Sequence, residues 1–100
     1  MMQDLDEVLI GTIDEVVRNV FEDETAEIIF RYLKEPENKS EDRVRYFADS
    51  LPKIIGTGSI IIEDLILEAL YSKLGLELVR RKGFEFLDYI AELRKHNEEE

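Results

Sequence analysis

The stretch Gly56-Thr57-Gly58-Ser59-Ile60-Ile61-Ile62-Glu63-Asp64-Leu65-Ile66-Leu67-Glu68-Ala69-Leu70-Tyr71-Ser72-Lys73-Leu74-Gly75-Leu76 decides the fold. It opens on a glycine-punctuated corner and closes on Gly75, with the most hydrophobic segment of the chain between them. At helical spacing Ile61, Ile62, Leu65, Ile66, Ala69 and Leu70 fill one broad face. Ile60, Leu67, Tyr71 and Leu74 add a second apolar sector, which leaves Asp64 and Glu68 as a narrow polar stripe. A helix that is apolar nearly all round is contacted from several sides. The reading is therefore a central helix over about 60–74, with Ile60, Leu67, Tyr71 and Leu74 as a candidate dimer interface. Gly75 followed by Leu76 predicts a Schellman-type stop, with glycine supplying the left-handed residue.

Working outward, the rest of the chain also reads as helix. Leu5, Val8, Leu9, Ile13, Val16, Val17 and Val20 follow a three/four spacing from about Asp4 to Phe21, with acids on the opposite side. Ala26, Ile29, Phe30 and Leu33 give a second helix from about Glu24 to Lys34, and the acids Glu22, Asp23 and Glu24 suit the positive end of its dipole. A polar loop follows at Glu35-Pro36-Glu37-Asn38-Lys39. Ser40 is placed to cap a third helix whose buried side is Val44, Phe47, Leu51, Ile54 and Ile55. Pro52 falls inside that pattern and predicts a kink or a fresh start near Ser50. Past Gly75, Leu76–Val79 and Phe84–Phe86 leave room for a minor hairpin near 76–86, turning through Arg80-Arg81-Lys82-Gly83. Phe86, Leu87, Ile90 and Leu93 then make a last helix to about Lys95, and residues 96–100 read as a frayed acidic tail. The fold class is all-α: one domain over 1–95, a bundle of four to five helices.

Composition narrows the function classes. Twenty-four acids against 13 bases give a net charge of −11, concentrated in the first half of the chain. A field of that sign repels phosphate backbones and anionic lipid, so neither nucleic acid nor a membrane surface is an expected partner. No apolar run exceeds the length of Ile60–Ile62, too short for a span, and the acidic start lacks the basic region of a signal peptide. A cytoplasmic address is expected. Cysteine is absent, which removes disulfides, thiolate metal sites and a cysteine nucleophile. Abundant Glu and Ile with little Gln and Asn resembles thermophile usage.

The chemistry-bearing clusters each have a plainer reading. Gly56-Thr57-Gly58-Ser59 opens a helix, and free N–H groups there bind anions. It lacks the length and lysine of a P-loop, and it reads first as a corner with positive φ at Gly56 and Thr57 or Ser59 as cap. The acids Glu22, Asp23, Glu24 and Glu27, and the pair Asp64 and Glu68, show no calcium-loop glycine pattern and read as solvated faces. His96, the single histidine, sits among Lys95, Asn97 and three glutamates, where no triad is assembled around it. Arg80-Arg81-Lys82 beside Phe84 and Phe86 is the single basic run, a modest nucleic-acid signal or a receiver for an acidic surface. The start of helix 60–74 offers Ile and acids and no base-reading side chain, which argues against a helix-turn-helix reader. No metal or cofactor site is read.

Gly56–Leu76, together with Phe86-Leu87-Asp88-Tyr89-Ile90-Ala91-Glu92-Leu93-Arg94-Lys95, resembles the Nitrosopumilus output domain family, small archaeal helical modules. The likeness rests on a GxG corner, the pattern IExLI…LYxKLG at 62–75 and F-x-DY-x-x-x-L at 86–93, and it is best over residues 44–95. The loop Glu35–Lys39 is shorter than the corresponding loop of such domains. The resemblance implies an archaeal intracellular regulatory or output domain, and it assigns no catalytic residue to carry over. The expectation is thus a non-enzymatic interaction module, a homodimer or a binder of another protein. The alternative is a small-ligand or anion-binding protein using Gly56–Ser59.

Overall fold

The computed structural model describes residues 5–34 and 43–99. Five α-helices follow in order: α1 (Leu5–Val20), α2 (Asp23–Lys34), α3 (Arg43–Ile55), α4 (Ser59–Lys73) and α5 (Phe86–Glu99). A single 3-10 turn, Gly56–Gly58, joins α3 to α4. No strand occurs among the described residues, so the all-α reading holds. The loop Glu35–Lys39 and the Ser40 cap lie outside the described residues.

The one-sided patterns of α1 to α3 translate into burial at most of their positions; Val8, Ile54 and Ile55 are half-buried, Val20 is exposed, and the side chain of Leu33 lies outside the described residues. Leu5, Leu9, Ile13, Val16 and Val17 of α1 are buried against Ala26, Ile29 and Phe30 of α2 and against Val44, Phe47 and Leu51 of α3 in one cluster. Each such side chain, fully removed from water, contributes about 1.5–3 kcal/mol before the entropy of ordering is set against it. Thr12 is the polar member of the α1 face; its hydroxyl donates to the Val8 carbonyl at 2.6 Å and so enters the core satisfied. Helix α2 packs chiefly on α3 and α1 on α4, while α3 and α4 both also reach α5. Helix α4 is therefore central, but α3 shares that position with it.

Three local expectations change. Helix α3 runs through Pro52 with no fresh start at Ser50. Pro52 is exposed, and because it carries no N–H the Ala48 carbonyl loses its helical donor there. The hairpin near 76–86 does not form. Glu85 already precedes the first turn of α5, with its N–H donating to Asp88 Oδ2 at 2.8 Å, which leaves too little chain for a second strand. The third change is at the C-terminus, where the helix continues to Glu99 rather than stopping at Lys95. No glycine or proline interrupts it, and glutamate is a good helix former. The Schellman stop is found as read: Leu76 N–H donates to Tyr71 O at 2.9 Å, Gly75 N–H to Ser72 O at 3.1 Å, and Gly75 has φ +70°.

Candidate functional site

The connection from Leu74 to Glu85 folds back over α4 and is pinned there from both sides. Its turn, Arg81-Lys82-Gly83-Phe84, closes with Phe84 N–H donating to Arg81 O at 3.1 Å, and Gly83 at φ +86° supplies the conformation required at the third position. Arg81 N–H donates to Tyr89 Oη of α5 at 2.9 Å, so the backbone finds its partner in a side chain rather than in a strand. The Phe84 ring meets Tyr89 edge to face at 5.1 Å, and the Arg81 guanidinium lies over Phe84 while pairing with Glu92 at 2.8 Å. Arg80 forks across the polar stripe of α4, bonding Asp64 and, at 3.2 Å, Glu68. The basic run read from the sequence is exposed but largely occupied, since both arginines are paired with acids of the same chain.

This arrangement encloses a groove of about 840 Å³ between the Gly56–Ser59 corner, the first turns of α4 and the start of α5. Pro52, Ile60, Leu67, Phe84 and Leu87 give it apolar walls, and Glu63, Glu85, Asp49 and Asp64 bring carboxylates to it. Glu63 is half-buried because it shares a row of α4 with the buried Leu67 and Leu70. Burial, and secondly the negative charge of Glu85, raise its pKa to about 7. No cationic side chain among the described residues is paired with it. A second groove of about 740 Å³ lies across the 76–84 connection, beside Tyr71, Leu76, Phe84 and His96. His96 is exposed near the end of α5.

The corner itself has the positive φ expected at Gly56, +68°. Neither Thr57 nor Ser59 caps α4: Gly58 holds the N-cap position, with no side-chain bond to the first turn. The Ser59 N–H is already directed to the Gly56 and Thr57 carbonyls, and Ser59 is buried. The helix start is therefore partly closed by its own 3-10 turn, in acidic surroundings.

The candidate interface is redistributed. Leu67, at 3% exposure, belongs to the core of the single chain, and Tyr71 and Leu74 are half-buried against that core. Tyr71 shows the consequence: burial, then Glu92 and Tyr89, raise its hydroxyl pKa, against a lowering by Arg81. The connection after Gly75 folds onto this sector and covers it. Ile60 remains exposed at 68%, and Ile61 at 65% and Leu65 at 39%, placed in the core by the sequence reading, face outward.

Among the described residues no group of three or more His, Asp or Glu side chains is placed to hold a metal ion, and no helix is long and apolar enough to cross a membrane. Glu22, just before α2, and Asp23, Glu24 and Glu27 on it are exposed. No family model, curated protein or solved structure matches this chain.

Proposed function

We propose that the chain is a non-enzymatic interaction module that self-associates as a homodimer through the outward row of α4, Ile61 and Leu65, with Ile60 at its edge. The observation that carries this reading is the exposure of those three large aliphatic side chains on one helix of a small domain. A two-fold contact sets the same row of two copies face to face, and each copy's aliphatic groups leave water together. Arg80 assists by neutralising Asp64 and Glu68 beside the row. The net charge of −11 opposes the contact, so added salt strengthens it. A regulatory role of the kind implied by the resemblance to archaeal output domains is in keeping with such a module.

Light scattering over a range of concentrations tests this. The expected result is a particle of twice the chain mass that persists on dilution in moderate salt and reverts to one chain in Ile61→Asp. A wild-type chain that stays monomeric at every concentration and salt level overturns the reading. The anion-binding alternative at Gly56–Ser59 is the weaker one, because the Ser59 N–H is consumed within the turn and four carboxylates line the same groove.

A further inference from the structure

We propose that the groove between the Gly56–Ser59 corner, α4 and α5 docks a basic amphipathic segment of a partner protein, seating a lysine or arginine at Glu63 and Glu85 and flanking aliphatic side chains on Ile60, Phe84 and Leu87. The argument is charge complementarity within an apolar frame. Four carboxylates and two arginines line the groove. Arg80 is held by Asp64 and Glu68, and Arg81 by Glu92 and the Phe84 ring. What remains without a countercharge among the described residues is the pair Glu63 and Glu85, with Asp49 on the α3 side. An acidic or neutral segment leaves that repulsion in place, whereas an ammonium or guanidinium relieves it, and its aliphatic neighbours cover the walls. The site meets the self-association surface at Ile60 alone, since neither Ile61 nor Leu65 lines it.

The raised pKa of Glu63 is the electrostatic counterpart of this geometry. The groups facing it are Glu85 at the start of α5, Asp64 on its own helix, Asp49 of α3, and Arg80, Arg81 and Tyr89, of which the arginines are paired elsewhere. A cation favours the ionised carboxyl, so docking releases a proton and tightens as pH rises from about 6 to about 8.

The test uses the whole chain and a short synthetic helical peptide of leucine and lysine, with a leucine–glutamate peptide as control. Backbone amide shifts locate binding, and titration measures it. The expected result is movement at Thr57, Glu63, Phe84 and Leu87, none with the control, and an affinity about tenfold lower in the double variant Glu63→Gln, Glu85→Gln. The variant Glu22→Gln, Glu24→Gln changes net charge equally at the start of α2, outside the groove lining, and is expected to bind as the wild type does. Equal weakening in both variants assigns the attraction to net charge and overturns the proposal. So does binding of the acidic peptide, or shifts gathered at Ile61 and Leu65. Because the control peptide and the shift map need no variant, the outcome does not depend on how the substituted chains fold. It is also read separately from particle mass, so failure of self-association leaves it decidable.

Discussion

Helices α1 and α4 pack on each other and carry their apolar residues in opposite styles. In α1 the apolar positions gather on one side; most are buried, Val8 and Ile10 partly so, and only Val20, at the end, is exposed at 46%. In α4 they are spread around the axis, and the helix buries Ile62, Ile66, Leu67 and Leu70 while presenting Ile60, Ile61 and Leu65 to solvent. A one-sided helix has one way to satisfy its hydrophobic stripe, so its pattern fixes its orientation. An all-round helix has several, and tertiary contacts choose among them. Surplus apolar surface is then left over, and in this protein it lies where a partner can reach it.

The sharpest way to break the comparison is to delete equivalent methylenes on the two faces of α4. Ile66→Ala opens a cavity in the fully buried centre and is expected to cost about 2–5 kcal/mol. Ile61→Ala at low protein concentration and low salt, which together favour the single chain, should shift stability by no more than about 0.5 kcal/mol. Urea unfolding of both variants measures the gap. Equal costs would mean that Ile61 is covered in the monomer, and the distinction between the faces would fall.

That contrast also governs what was legible in the sequence. The core of α1 to α3 was readable because each helix has one apolar side, and the corner and the stop of α4 were readable because Gly56 and Gly75 hold φ values that favour glycine. The orientation of α4 was not, since Leu67 and Leu65 look alike until the chain after Gly75 is known to fold back over one of them. The hairpin failed for a related reason: its backbone groups are taken by the Tyr89 hydroxyl and by a turn, neither of which periodicity reports. As for the groove, the sequence marked one wall, Gly56–Ser59, and missed Glu63 and Glu85. Glu63 was visible in principle, being an acid in the row of Leu67 and Leu70, but its burial depends on the distant α5.

Glu63 gives the next prediction in size. Its pKa is about 7 when folded against an ordinary 4.5, so between those values the folded chain holds a proton that the unfolded chain has lost. The stability this provides is complete below about pH 4.5 and gone above about pH 7, as ionisation inside the groove becomes unavoidable. Glu63→Gln removes the dependence. The variant should match the wild type near pH 4.5 and exceed it at pH 8, by about 1 kcal/mol once solvent screening of a half-exposed group is allowed for. Denaturant titrations at the two pH values decide it. A variant equally stabilised at both would place the gain in packing rather than in charge, and would remove the electrostatic contrast between the groove and the rest of the α4 surface.

The smallest effect expected lies where α1 and α4 meet through charge. Lys73 bonds Glu15 across the two helices, with both side chains substantially exposed. Water screens such a pair, and holding two long side chains in one geometry costs entropy, so Lys73→Gln should lower stability by less than about 1 kcal/mol. Salt separates this from any packing effect, because an ionic contribution fades as the Debye length shortens to about 3 Å near 1 M. The difference between wild type and variant should therefore close in high salt. A loss that persists there would show the lysine stem covering apolar surface between α1 and α4, and the two helices would be joined more by hydrocarbon than by the ion pair at their edge.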